Sequence, residues 1–258
     1  MNARTQDGSA GDVDYGAIGS GYSAFRRPDT RIAQFIAEAL GGARTVLNVG
    51  AGAGSYESAA RAVTAVEPSE SMRAQRPARL ARAVDAVAED LPFADGEFEG
   101  SMTLFSVHQW SDVAAGLREM RRVTRGPVVL LTCDPKLVTD FWLHAYAPEV
   151  LDVEARRYPL IEEMAGALGG TGSIQTVPIP LDCTDGFNEA YYGRPEMLLD
   201  PVARQACSAW SFIDDGVRER FDERLRRDLE SGSWDERFGH LRTQETYEGS
   251  LVIVRATP

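Results

Sequence analysis

The stretch VLNVGAGAGSYE, residues 46–57, brings an apolar run directly onto three glycines at alternate positions. The apolar run predicts a short buried strand, and Gly50, Gly52 and Gly54 follow at its end. Glycine tolerates positive φ and lets a ligand approach the backbone closely. The stretch therefore predicts a strand, a tight bend and a helix over 55–62, with a ligand lying across the end of the strand.

Strand and helix patterns alternate along the half of the chain that surrounds this loop. Short β-rich runs occupy 45–50, 63–67, 82–90, 98–107 and 126–134, and helical periodicity marks 29–42 and 112–124. Alternation of this kind is typical of a doubly wound α/β fold with a mostly parallel sheet. Ligands of such folds bind outside the carboxyl ends of the strands, which is where the glycine loop is expected.

The composition argues against several classes of partner. A net charge of −12 disfavours nucleic acid, because such a surface repels phosphate backbones. No apolar run approaches the ~20 residues of a membrane span, and the polar start over 1–14 predicts a loose tail on a cytoplasmic protein. Cys133, Cys183 and Cys207 are far apart and form no CxxC pair, so neither a disulfide framework nor a metal site is expected.

Two acidic residues follow predicted strands in the order that a nucleoside site requires. Glu67 ends the second strand, 67 − 50 = 17 residues after Gly50, and its carboxylate can accept hydrogen bonds from two ribose hydroxyls. Asp90 ends the third strand and can accept from an adenine amino group. Leu91 and Met72 are the expected apolar walls of this site.

The spacing within the loop bears on which nucleoside binds. A nicotinamide-dependent oxidoreductase would favour GxGxxG, whereas this loop reads GxGxG and contains neither lysine nor GK[ST]. A loop without phosphate-binding groups suits S-adenosylmethionine, which carries adenosine, a sulfonium and an amino acid. An NAD(P)-dependent oxidoreductase remains the alternative among enzymes.

Taken together, four segments resemble successive motifs of class I S-adenosylmethionine-dependent methyltransferases. They read VLNVGAGAGSYE, AVEPSESM, AEDLPFADGEFEGSMTLFSVHQW and GPVVLLTCDP, within about residues 15–134. Gln109 and Trp110 resemble most the small-molecule branch that includes trans-aconitate methyltransferase and malonyl-carrier-protein methyltransferase. Asn48 departs from the pattern, since the family usually has aspartate there.

The resemblance implies a fold and a cofactor site. The expected fold is a Rossmann-like seven-stranded sheet with its last strand antiparallel, in a single domain over 15–258. Helical insertions at about 135–170 and 181–245 would cover the acceptor. The residues that would surround the cofactor are Asn48, Gly50, Ala51, Gly52, Gly54, Glu67, Pro68, Met72, Asp90, Leu91 and Ser106.

The stretch YGAIGSGYSAFRRPD, before the first helix, is expected to fold over the cofactor. Arg26 or Arg27 would meet the cofactor carboxylate by a charge-assisted bond. Tyr15 or Tyr22 would close the pocket.

Several residues are candidates for the acceptor pocket. His108 is the candidate general base, because it follows the fourth strand near the expected methyl group and has a reference pKa of ~6.5. Trp110, His144 and Tyr191 are further pocket candidates. Arg194 or Arg157 would hold an acidic acceptor.

These patterns predict methyl transfer from S-adenosylmethionine to a small molecule, by O-, N- or C-methylation. The aromatic insertions favour an aromatic metabolite as acceptor, whereas the resembling branch favours a carboxylate. A non-catalytic S-adenosylmethionine-binding protein is a further alternative, and the chain could be a monomer or a homodimer.

Overall fold

The computed structural model describes residues 25–258, whose main element is a six-stranded sheet. Its strands are β1 (Thr45–Val49), β2 (Ala62–Val66), β3 (Gly100–Leu104), β4 (Val128–Cys133), β5 (Thr171–Thr176) and β8 (Leu251–Thr257). They lie in the order β2-β1-β3-β4-β8-β5, with β1 to β4 parallel and β8 antiparallel to both its neighbours. Strands β6 (Ile179–Pro180) and β7 (Thr246–Tyr247) pair separately. The mostly parallel sheet and the antiparallel last strand are as predicted.

The helices of this part of the chain fall into two types. The α-helices are α1 (Thr30–Leu40), α2 (Glu70–Ala74), α3 (Val113–Val123), α4 (Pro148–Arg157), α5 (Ile161–Leu168), α6 (Pro201–Gln205), α7 (Asp215–Ser231) and α8 (Ser233–Phe238). Short 3-10 helices span Val107–Gln109, Val138–Asp140, Trp142–Ala145, Asn188–Tyr191, Pro195–Leu199, Ser208–Phe212 and Gly239–Thr243.

The expected seventh strand is not confirmed. Val84 forms an isolated parallel bridge to Val66, while the residues around it have no strand structure. The chain is diverted on both sides, because the Arg76 guanidinium holds the carbonyl of Ala81 and a turn begins at Val87.

The expected helix over 55–62 is wrong, since turns follow the glycine loop instead. Gly54 and Tyr56 have φ of 91° and 63°, which no right-handed helix accommodates.

Each face of the sheet has its own hydrophobic core, because side chains alternate along buried strands. On one face, Ile32, Ile36 and Leu40 of α1 pack in the same core as Met102 and Leu131. On the other face the core includes Leu117 and Met120 of α3, Ile161 and Met164 of α5, and Val128 and Leu130 of β4. The two layers hold the carboxyl ends of β1 to β4 at one edge.

The first predicted insertion divides between two parts of the fold. Helix α4 contacts the 3-10 segments at Val138–Asp140, Trp142–Ala145 and Ser208–Phe212. Helix α5 instead packs against α3 and β8 on the second face of the sheet. The end of that insertion therefore belongs to the sheet layer, because its apolar residues are buried there. No helix within residues 25–258 has the length and apolar character needed to cross a bilayer.

Candidate active site

A cleft opens at the carboxyl ends of β1, β2 and β3. It encloses about 880 Å³, part of which is open to solvent. Its lining comes from the loops that follow these strands and from the segment before α1. The lining residues are Arg26, Asn48, Gly50, Ala51, Gly52, Ala53, Ser55, Tyr56, Glu67, Pro68, Met72, Ala88, Glu89, Leu104, Phe105, Ser106, Gln109 and Trp110.

The glycine loop is tied to the end of β2 by a carboxylate. Glu67 accepts hydrogen bonds from the backbone N–H of Gly52 at 2.7 Å and of Ser69 at 2.9 Å. Gly50 has a φ of 66°, and a side chain there would collide with Ser106. Burial raises the pKa of Glu67, against the lowering effect of its two N–H donors. Glu67 thus shapes the loop while lining the cleft.

Asn48 belongs to a buried polar network beneath the loop. Its Nδ2 donates to Glu57 Oε1 at 3.0 Å, and Glu57 pairs with Arg76 at 2.8 Å. The side chains of Glu57 and Arg76 are only 2% and 4% exposed. Arg76 also donates to the carbonyl of Gly52 at 3.3 Å. Asn48 is thereby joined to a buried carboxylate, that of Glu57.

The cleft is rich in acceptors and poor in cations. Asn48 Oδ1 and Glu89 Oε2 are buried and have no hydrogen-bond partner within residues 25–258. Arg26 is the one basic residue among those that line the cleft. Such a lining fits a ligand with hydroxyl, amino and ammonium donors, as S-adenosylmethionine has, better than one with a pyrophosphate.

Three of the predicted cofactor contacts do not line the cleft. Asp90 is exposed and does not line the cleft, whereas its neighbour Glu89 does. Residues 88–90 enter a turn instead of ending a strand. In that turn Glu89, and not Asp90, faces the cleft. Leu91 is 3% exposed and packs in the core of the second face. Gly54 lies in the loop but outside the lining.

Arg26 closes one side of the cleft through a buried ion pair. Its Nε lies 2.5 Å from Asp185 Oδ1, and Asp185 Oδ2 accepts a hydrogen bond from the Tyr56 hydroxyl at 2.8 Å. The Arg26 guanidinium also lies 4.9 Å from the centroid of Phe105. These contacts join the segment before α1, the glycine loop and the second insertion.

A second cavity of about 470 Å³ adjoins the cleft and shares Arg26 and Phe105 with it. Phe105 has a φ of 53°, a strained conformation for an aromatic residue. The rest of its lining comes from β4, α4, the second insertion and the segment after β3. These residues are His108, Cys133, Glu154, Tyr158, Phe187, Asn188, Ala206, Cys207, Ser208 and Ala209.

Of the predicted acceptor residues, His108 lines this second cavity and Trp110 lines the cleft. The His108 ring lies 4.5 Å from that of Tyr158, between centroids. Trp110 Nε1 donates to Ser106 Oγ at 3.1 Å. Enclosure by protein lowers the pKa of His108 well below its usual value, and the nearby charges of Arg157 and Arg26 lower it further.

Four predicted acceptor residues line neither cavity, and one of them, Arg157, donates to Ser208 Oγ at 3.0 Å. His144 lies near the surface, 3.4 Å from Asp152. Arg194 donates to the carbonyls of Cys183 and Ala190, at 2.9 Å each. Tyr191 is 3% exposed and packs within the insertion. The side chains of Tyr191 and Arg194 are thus used for packing and backbone contacts. Tyr15 and Tyr22 lie outside the described residues.

The sequence reasoning missed several residues of both cavities. The most important are Tyr56, Phe105, Glu89, Glu154 and Asn188, together with Asp185, which lines neither cavity but binds Tyr56 and Arg26. Glu89 is adjacent to the predicted Asp90, so the two acids of AED, residues 88–90, could have indicated it as the second candidate. Glu154 and Asn188 carried none, because they come from insertions whose path the periodicity does not define.

Comparison with known proteins agrees with this geometry. Residues 47–131 match a family described as a methyltransferase domain. A proposed methyltransferase from an antibiotic biosynthesis pathway of Anabaena variabilis ATCC 29413 is 28% identical, with a TM-score of 0.84 over 92% of this chain and 100% of that one. The match to protein YafE of Escherichia coli K12, 40% identical over 60 residues, covers 22% of this chain and only 29% of that relative.

More distant structures share the fold. An S-adenosylmethionine-dependent methyltransferase from Thermotoga maritima gives a TM-score of 0.53 at 15% identity, over 92% of each chain. Geranyl diphosphate C-methyltransferase from Streptomyces coelicolor, solved with S-adenosylhomocysteine, gives 0.52 at 17% identity, over 99% of this chain and 92% of that one. Residues 47–131 thus match a methyltransferase domain, within a chain that has the fold of S-adenosylmethionine-dependent methyltransferases.

Proposed function

We propose that the protein transfers a methyl group from S-adenosylmethionine to a small-molecule acceptor. The observation that carries the proposal is the acceptor-rich cleft at the glycine loop, where Asn48 Oδ1 and Glu89 Oε2 are left without partners in the described chain. The matching family and the likeness to methyltransferase structures support the same cofactor. Among residues 25–258, no side chain that lines the cleft favours a nicotinamide dinucleotide.

The residues of the cleft have separate tasks in this reaction. Glu67 accepts from the ribose hydroxyls, since a carboxylate keeps free acceptor sites after binding two N–H groups. Glu89 takes the role first expected of Asp90 and accepts from the adenine amino group. Arg26 meets the carboxylate of the amino-acid part. When bound, S-adenosylmethionine supplies a methyl group on a positively charged sulfur.

The second cavity is the place for the acceptor. It shares the wall made by Phe105 and Arg26 with the cleft, so a molecule in it lies next to the cofactor. Proximity and alignment of the two partners supply much of the rate of a displacement reaction. The comparisons do not single out the branch that methylates small carboxylates.

Calorimetric titration with S-adenosylmethionine, S-adenosylhomocysteine and NADH tests the cofactor. Glu67→Gln should weaken binding of both sulfur compounds by about 1–3 kcal/mol, as for a lost buried hydrogen bond. Glu70→Gln is the matched control, because Glu70 is exposed on the adjoining helix α2. Tight binding of NADH, with no binding of either sulfur compound, would refute the proposal.

A further inference from the structure

The second cavity contains a carboxylate that is held in place by a chain of hydrogen bonds. Trp210 Nε1 donates to Asn188 Oδ1 at 3.1 Å, and Asn188 Nδ2 donates to Glu154 Oε2 at 2.6 Å. An indole N–H can only donate, so the Asn188 amide must turn its NH₂ group toward Glu154. Glu154 is thereby oriented as an acceptor in the wall of the cavity.

Glu154 keeps capacity for a ligand in this arrangement. An ionised carboxylate has about four acceptor sites, and Asn188 binds at Oε2. Because the cavity also contacts Arg26 and Phe105 of the cleft wall, the carboxylate belongs to the space that adjoins the cofactor.

Burial acts in opposite directions on the two groups of this cavity that could take a proton. It lowers the pKa of His108, since a protonated imidazole would be a buried cation near Arg157 and Arg26. It raises the pKa of Glu154, because protonation removes a buried negative charge, although Asn188, Arg157 and Arg26 act the other way. A base works best when its pKa lies near the working pH, so Glu154 is better suited than His108.

We infer that the second cavity takes an acceptor whose nucleophile carries a proton, a hydroxyl or an amine, and that Glu154 binds this group and receives its proton. The inference rests on the proposed function and names the acceptor class for the same site. A carboxylate acceptor is disfavoured, because it would bring a second negative charge against Glu154 in a buried space.

The proton balance of the transfer is then complete. The lone pair of the acceptor oxygen or nitrogen forms the bond to the methyl carbon, and the carbon–sulfur bond breaks with its electron pair remaining on sulfur. The proton released by the nucleophile moves to the Glu154 carboxylate, which returns it to solvent after the product leaves.

Binding of three probes with one ring skeleton tests the acceptor class. The probes are 4-methylbenzyl alcohol, 4-methylbenzylamine and 4-methylbenzoate, titrated by ligand-observed NMR with and without saturating S-adenosylhomocysteine. The alcohol and the amine should bind at least tenfold more tightly than the carboxylate. Glu154→Gln should weaken the amine at least tenfold and reduce its preference over the carboxylate.

Glu149→Gln is the matched control, because Glu149 lies exposed on the same helix and pairs with Arg220. It should leave all three affinities unchanged. Tightest binding by the carboxylate, an unchanged preference in Glu154→Gln, or no binding of any probe to the loaded protein would overturn the inference. Failure of S-adenosylhomocysteine to bind would instead count against the proposed function, and the probe preference would still be read on the unloaded protein.

Discussion

Asn48 donates a hydrogen bond to Glu57 over 3.0 Å, and Glu57 in turn pairs with the buried Arg76. The methyltransferase motif that residues 46–57 resemble has an aspartate at position 48, which would here face a second carboxylate. Glu57 supplies the charge from nine residues further along the chain, and Arg76 connects it to the backbone of the glycine loop at Gly52.

Asn48→Asp should therefore weaken the protein even though it restores the usual family residue. The new carboxylate loses the bond to Glu57 and repels it in a buried space, at a cost of about 1–3 kcal/mol. Calorimetry with S-adenosylhomocysteine and thermal unfolding measure the loss. The double variant Asn48→Asp/Glu57→Gln should recover much of it, because one charge is removed. Equal affinity of Asn48→Asp and the unaltered protein would show that Glu57 does not supply this charge.

Gly50→Ala should impair the cleft beyond the cost of backbone strain. The added methyl group would collide with Ser106, which accepts the hydrogen bond of Trp110. Gly232→Ala is the control, since Gly232 has a left-handed conformation with a φ of 82° and open space around it. The control should cost about 1–2 kcal/mol from the left-handed conformation alone. Urea unfolding should show a larger loss for Gly50→Ala, and equal losses would contradict the close approach of Ser106.

Tyr56→Phe should reduce both stability and cofactor affinity. It removes the hydroxyl that donates to Asp185 at 2.8 Å, in a pair that also holds Arg26 beside the cleft. The expected loss of stability is about 1–3 kcal/mol, as for a buried carboxylate deprived of a donor. Tyr146→Phe serves for comparison, because its hydroxyl bonds Asp228 away from both cavities. That variant should lose stability but retain its affinity for S-adenosylhomocysteine, and the same pattern in Tyr56→Phe would exclude a role at the cleft.

Because of Glu189, the free energy of unfolding should be larger in mild acid than above pH 7. Burial raises its pKa to about 7, although the N–H and hydroxyl of Ser250 donate to it. Glu154 lies near enough to raise the pKa further. Since the folded value exceeds the unfolded value of about 4.3, the native state binds more protons between these two limits. The contribution is fully present below pH ~4 and is lost as the pH rises through 7, by roughly 3 kcal/mol.

Chemical denaturation of Glu189→Gln at pH 5 and pH 8 measures this contribution. The stability difference between the two pH values should shrink by roughly 2–3 kcal/mol compared with the unaltered protein, because pH 5 already lies above the unfolded pKa. An unchanged difference would mean that Glu189 is ionised in both states at pH 5.

The sequence could predict the elements in which apolar residues recur with a clear helical or strand periodicity or form a continuous apolar run. Helix α1 and strands β1 and β4 have clear apolar patterns, and both strands are buried on the two faces of the sheet. The segment around Val84 also has a pattern that predicts a strand. It forms only one bridge, to Val66, because its contacts with neighbouring residues determine its conformation. Composition could not show that.

The candidate site divides in the same way. Glu67 was predictable, because it follows a regular strand at a fixed distance from the loop. Whether Glu89 or Asp90 faces the cleft is determined by the turn at 88–90. Glu154 lies on a helix that carries charges of both signs. Its hydrogen bond with Asn188 joins two insertions across 34 positions of the sequence. No local pattern encodes such a contact.

The turns after β1 affect how the cofactor cleft opens. A helix at 55–62 would protect its amides by a ladder of backbone bonds, whereas two backbone bonds, Gly54 to Ala51 and Glu57 to Gly54, hold the start of this segment. The side chains of Glu67, Arg76 and Tyr56 provide the remaining restraint. Local opening of the loop can therefore occur without unfolding the core of the second face, which contains no residue of 50–57. Amide hydrogen exchange should consequently be fast at 52–57 and slow in β1, and a bound ligand should slow the loop selectively.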